Sequence, residues 1–114
     1  MKLVTKEISN RLAKYPLYSQ DGKKKEAIAV AKFFICVGAW TWFIMEADLN
    51  QNLAYGIIVN GQGECEYGYI SLEELQSLNV KGLTVERDLS FKPTKLSDID
   101  NVYVKNFIND LYED

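Results

Sequence analysis

Apolar positions near the start of the chain recur at helical spacing. Ile8 and Leu12 stand four apart, Thr5 precedes them as an N-cap with Glu7 in the first turn, and Pro16 follows Tyr15, so a short amphipathic helix is expected within Leu3–Tyr15. Ser19-Gln20-Asp21-Gly22 and the run Lys23-Lys24-Lys25 then have the composition of an exposed turn. From Glu26 the pattern changes. Residues 26–37 are rich in Val, Ile and Phe, Gly38 interrupts them, and residues 39–47 resume with aromatic and β-branched side chains, which predicts a hairpin. A second hairpin is expected where Gly61-Gln62-Gly63 separates Leu53–Asn60 from Glu64–Ile70, because two glycines permit the positive φ of a tight loop. Ser71 and Glu74 form a capping-box pair ahead of Leu72, Leu75 and Leu78, and Asn79 or Gly82 supplies the stop. One more strand is expected over Leu83–Phe91. A last helix is read from Ser97 as N-cap, with Asp98 and Asp100 near its positive end and Ile99, Tyr103, Phe107 and Leu111 at four-residue spacing.

The resulting order is helix, four strands, helix, strand, helix. Links this short demand antiparallel neighbours, since a parallel pair needs a crossover of about a dozen residues. With no internal repeat, linker or low-complexity tract, the chain reads as one domain over residues 1–114. The expected fold class is α+β, an antiparallel sheet of about five strands with three helices (N-terminal, middle and C-terminal) covering part of it.

Composition removes several chemistries. The chain has 114 residues and no histidine, which excludes Ser-His-Asp and Cys-His nucleophiles, His-containing zinc sites and imidazole acid-base work. A chain of this size buries roughly 65% of its unfolded surface, so neither a disulfide nor a metal is required for folding. The apolar stretch Ala27–Met45 is broken by Lys32, Gly38, Thr41 and two tryptophans, and so reads as neither a membrane span nor a signal sequence. Cys36 and Cys65 lack a Cys-x-x-Cys pair and are expected as buried, reduced thiols of a cytoplasmic protein, with a disulfide between neighbouring strands as the alternative.

The net charge of -3 is unevenly spread. Residues 1–32 hold eight basic and three acidic side chains, residues 33–80 hold six acidic and no basic ones, and the rest hold five basic and seven acidic. The basic beginning and acidic middle either neutralise each other in the fold or leave a positive end that steers an anionic partner.

Period-two alternation places Trp40, Trp42, Ile44 and Glu46 on one face of their strand. Two readings fit: a stacking platform with a carboxylate at its edge, or a large-residue core under a helix with Glu46 at the rim. In the next hairpin Glu64 and Glu66 share a face opposite Cys65, Tyr67 and Tyr69. Together with Glu46 or Asp48 these carboxylates could bind a hard cation or divide acid and base roles, or simply form a solvated surface. Arg87 falls among Val85, Leu89 and Phe91. An arginine in such company needs a carboxylate, from Glu46 or Glu66, or else serves as an anion-recognising guanidinium in a cleft. The Lys23–Lys25 run is read as a solvated loop with nonspecific phosphate contact as the alternative. No P-loop, G-x-G-x-x-G or G-x-S-x-G motif is present.

Leu3–Leu12, Lys32-Phe33-Phe34, Trp40-Thr41-Trp42 with Glu46, Tyr55-Gly56, Glu66-Tyr67-Gly68-Tyr69 leading into Ser71 and Glu74-Leu75, and Glu86-Arg87-Asp88-Leu89 with Phe91-Lys92-Pro93 span nearly the whole chain. In this order they resemble the small bacterial domain-of-unknown-function family numbered twenty-nine fifty-eight. One departure is Val37-Gly38-Ala39, where the family leads one to expect an Asp-Gly turn. The resemblance implies a cytoplasmic protein of plasmids or integrative mobile elements and supplies no catalytic residues. The expected function is therefore a small non-enzymatic accessory or binding domain for a protein or nucleic-acid partner, with Trp40, Trp42, Glu46, Glu66 and Arg87 as contact residues, no cofactor or metal, and no membrane association. The alternatives are a carboxylate-dependent, divalent-metal enzyme drawing on Glu46, Glu64, Glu66, Glu86 or Asp88, and a weakly acidic DNA mimic.

Overall fold

The computed structural model describes residues 1–112. Its elements are α1 (Lys6–Leu12), β1 (Ile28–Ala29), β2 (Ala31–Ile35), β3 (Trp40–Asp48), β4 (Leu53–Val59), β5 (Cys65–Ser71), α2 (Leu72–Ser77), β6 (Asn79–Val80), β7 (Leu83–Thr84), β8 (Glu86–Arg87), β9 (Thr94–Lys95) and α3 (Val102–Leu111). The main sheet has five antiparallel strands in the order β5-β4-β3-β2-β8; the short links require this of β2 to β5, and β8 returns to pair antiparallel with β2. Two-stranded ribbons, β1 with β9 and β6 with β7, flank it.

Alternation along the central strands feeds a separate core on each face. Phe33, Trp42, Ile44, Ala54 and Ile70 pack with Leu3, Ile8 and Leu12 from α1 and its lead-in, and with Leu72 and Leu75 from α2. Phe43, Met45, Ile57 and Val59 pack on the other face with Leu96, Ile99, Val104 and Ile108, the last two from α3. Gly56 lets the central strands approach: a Cβ there would lie 1.9 Å from the Phe43 carbonyl oxygen.

The caps at Thr5 and Ser71 form as expected, their hydroxyls accepting from the amides of Ile8 and Glu74. Three expectations need correction. The strand read over Leu83–Phe91 is divided: Lys81 and Gly82, with φ of 54° and 87°, turn β6 into β7, and only Glu86–Arg87 joins the main sheet. The last helix is capped by Asn101, whose Oδ1 accepts from the amides of Tyr103 and Val104, while Ser97 lies in a preceding 3-10 turn. That later start moves the buried stripe to Val104 and Ile108 and leaves Tyr103 and Leu111 exposed. Finally, Gln20 is buried inside the expected solvent-exposed turn, where its side chain bridges three backbone groups: Nε2 donates to the carbonyls of Ile28 and Met45, and Oε1 accepts from the amide of Ile28.

Candidate functional site

The five contact residues expected from the sequence do not form one site: a β-bulge separates Glu46 from the others, and the strand order separates Glu66 from Arg87. Ile44 pairs with Gly56 but Glu46 pairs with Tyr55, so Met45 is an extra residue on β3. The insertion reverses the alternation beyond it. Ala47 rejoins Trp42 and Ile44 in the α1-side core, whereas Glu46 stands with Tyr55 on the α3 side. Glu46 is thus removed from the tryptophans with which simple alternation grouped it.

The tryptophans themselves have different environments. Trp42 is 7% exposed and belongs to the core; Trp40 is 41% exposed. Their rings stack at 6.1 Å with 25° between planes, so a buried ring supports an exposed one. The sheet register sets Glu66, Ile58, Trp42, Phe33 and Arg87 in one row across all five strands. Glu66 and Arg87 occupy its two ends, roughly 19 Å apart at about 4.8 Å per strand, which rules out the expected ion pair. Glu46, on the opposite face, is excluded as well. Arg87 is instead half-buried, and its Nε donates to the Lys2 carbonyl at 2.8 Å. Among the described residues its two terminal nitrogens make no hydrogen bond or ion pair.

Around Trp40 and Arg87 lies an open groove of about 700 Å³, at the end of β2 where it turns into β3 and beside β8. Phe34, Leu89 and Trp40 give it apolar walls, and Lys32, Thr41, Arg87 and Asp88 its polar ones. Lys32 and Asp88 pair at 3.5 Å, which leaves Arg87 as the uncompensated charge among the described lining residues. Cys36 also borders this groove and is exposed rather than buried as expected; both cysteines are free, and two intervening strands separate β2 from β5.

The second concave region gathers around Glu46, which is 3% exposed. Its two oxygens accept from the amides of Tyr18 and Gln20, each at 2.8 Å, and so hold the segment that carries Tyr18 at a φ of 72°. Tyr55, Tyr67 and Tyr69 project beside it from β4 and β5: Tyr55 stacks on Tyr67 at 6.0 Å and meets Tyr69 edge-on at 5.2 Å. The Tyr67 hydroxyl shares a hydrogen bond with Tyr112 at 2.7 Å, and burial, followed by that bond, holds its phenol well above the ordinary tyrosine range. Sequence reasoning placed Tyr67 and Tyr69 on one face but missed this assembly, because the bulge brings Glu46 to them and Tyr18 and Gln20 arrive from a remote loop.

Among the described residues the other candidate carboxylates are dispersed. Glu64 caps its own hairpin through Asn60, Glu66 faces outward from β5, and Glu86 and Asp88 lie at the far edge of the sheet. Among the described residues no group of three or more His, Cys, Asp or Glu side chains could hold a metal ion, and no helix is long and apolar enough to cross a membrane.

Residues 3–105 match the family model described as Protein of unknown function (DUF2958). The chain belongs to that family. The match runs from Leu3, at the start of the α1-side core, to Lys105 within α3, and so takes in the entire five-stranded sheet. Neither a curated protein nor a solved structure matches the chain.

Proposed function

We propose that this chain is a non-enzymatic binding module that captures a protein partner in the groove beside β8, with Trp40 as its apolar anchor and Arg87 receiving a carboxylate. The observation that carries this reading is a 41%-exposed tryptophan, stacked on a core ring, next to a guanidinium with free terminal nitrogens. Tryptophan and arginine are the residues on which binding energy most often concentrates, and a ring already fixed in place loses little entropy on contact. A partner segment with an apolar side chain beside an Asp or Glu fits both features. A nucleic-acid partner fits less well: the sequence pI is about 5.0, whereas proteins that follow phosphate backbones present basic surfaces. The setting implied by the family resemblance, an accessory role on a bacterial mobile element in the cytoplasm, forms part of this proposal. The dispersed carboxylates give the metal-enzyme alternative no geometric support.

The test is affinity capture from cells that naturally carry the gene, with wild type, Trp40→Ala and Arg87→Met compared, and thermal melts to verify folding. Both variants should lose the same protein partner while melting within a few degrees of wild type. Retention of that partner by both variants would remove the groove from consideration. Tight binding of a single-stranded oligonucleotide, abolished by Arg87→Met, would replace the protein partner with a nucleic acid.

A further inference from the structure

Between Tyr55 and the segment preceding β1 lies a second, smaller cavity of about 190 Å³, lined by Leu17, Tyr18, Asp21, Glu46, Tyr55 and Tyr69. Trp40 and Glu46 sit six residues apart on β3, roughly 20 Å along the strand, and the bulge turns them to opposite faces, so this cavity is independent of the Trp40 groove. Three tyrosine rings bound it. Tyr55 and Tyr69 meet edge-on at 65°, and the hydroxyls of Tyr18 and Tyr69 close one rim with a hydrogen bond of 2.8 Å.

The charge in the cavity is of one sign. Asp21 and Glu46 line it without a Lys or Arg, and Lys24 lines the adjoining concavity that shares Asp21, Glu46 and Tyr55 with it. Glu46 is 97% buried yet uses only one acceptor position on each oxygen, for the Tyr18 and Gln20 amides, so further lone pairs remain. Burial first, and then the Glu46 charge, raise the Tyr55 phenol above its usual range. Tyr18 adds a separate signal. Its φ of 72° is costly for a bulky residue, and the Glu46 carboxylate is what holds it there, carrying the ring across to Tyr69.

Aromatic faces beside a buried carboxylate that retains open acceptor positions attract an organic cation. The size of the cavity narrows the class. Pockets that enclose drug-sized ligands start at roughly 300 Å³, so this one admits a head group and not a whole cofactor. We propose that Tyr18, Tyr55 and Tyr69, with Glu46 and Asp21, form a cage for an alkylammonium head, carried either by a small amine or by a lysine side chain of a polypeptide.

Titration of the intact protein with tetramethylammonium, butylammonium and an acetylated, amidated lysine peptide, at constant ionic strength and against sodium chloride as control, tests the cage. NMR shifts of the tyrosine rings provide the readout. Saturable shifts at Tyr18, Tyr55 and Tyr69 are expected with at least one ammonium and none with sodium. The tighter of butylammonium and peptide identifies the source. Tyr69→Leu, at an exposed edge-strand position, should weaken binding roughly 3- to 30-fold, and Asp21→Asn, also exposed, should weaken it in the same direction. Absence of saturable shifts from every ammonium overturns the cage. So does unchanged affinity in both variants, each verified as folded by its amide spectrum.

Discussion

Replacing Glu46 with alanine should unfasten the loop in front of β1. The carboxylate is 3% exposed and accepts from two amides at 2.8 Å, one of them, on Gln20, fully buried. Hydrogen bonds to a charged group contribute about 1.5–3 kcal/mol each, and alanine leaves both donors without a partner, so a loss of about 3–5 kcal/mol is expected. At roughly 4 °C per kcal/mol for a domain near this size, the melting temperature falls on the order of 15 °C. Glu46→Gln should lose about half as much, since its amide oxygen still serves one donor while its NH2 faces the other. Urea denaturation gives the magnitude and amide hydrogen exchange the location: Tyr18 and Gln20 should exchange faster, while the β3–β4 ladder retains its protection relative to the global opening. Glu66→Gln, at an exposed position on β5, serves as the control and should change stability by under about 0.5 kcal/mol. A Glu46→Ala protein within about 1 kcal/mol of wild type would refute this account of the buried carboxylate.

Trp42→Ala removes a buried ring and should cost about 3–5 kcal/mol by denaturant titration, whereas Trp40→Ala should cost well under that because its ring already faces solvent. Gly56→Ala should prevent stable folding or lower the melting temperature sharply, since the added methyl meets the Phe43 carbonyl oxygen at 1.9 Å; a circular-dichroism melt near wild type would contradict the strand spacing. The raised Tyr67 phenol gives a pH dependence of known sign. Its neutral form is favoured in the folded state, so its contribution is complete below about pH 10, where unfolded tyrosine begins to ionise, and is lost as alkalinity rises further. Melts between pH 9 and 12 should show that decline, and Tyr67→Phe should flatten it. A thiol reagent should modify exposed Cys36 rapidly and Cys65 slowly, because Cys65 is half-buried and burial pushes its thiol up; equal rates would count against this packing.

Elements fixed by local chemistry were legible in the sequence. Thr5 and Ser71 announce helix starts through hydroxyls that cap amides three residues on, and Gly63, at a φ of 80°, announces a hairpin, because each signal involves only its neighbours. Gly61 takes no positive φ and is instead required by its approach to the Gly38 carbonyl oxygen, 2.0 Å from where a Cβ would stand. The weaker readings lay where two local signals competed. Ser97 and Asn101 are both plausible caps four residues apart, and tertiary packing of Val104 and Ile108 decided for the second. Val80-Lys81-Gly82-Leu83 carries a turn signal, but a single positive-φ candidate at Gly82 did not reveal that Lys81 would also adopt one.

The candidate sites were legible only in part because both depend on register. One extra residue in β3 separates the chemistry of Trp40 from that of Glu46 and assigns it to two faces of the same sheet. Sequence alternation assumes an uninterrupted pleat, and Ile44-Met45-Glu46 contains no glycine or proline to signal otherwise. The buried glutamate itself was the available clue. A carboxylate at the end of a run this apolar must find donors, and the nearest large source of unpaired amides is a loop whose backbone cannot pair with a strand. That requirement explains why the backbone amides of Tyr18 and Gln20 turn toward Glu46, with Gln20 buried and the Tyr18 ring left exposed. The same fixation sets the Tyr18 ring against Tyr69, so the interaction that satisfies a buried charge also builds one wall of the tyrosine cavity.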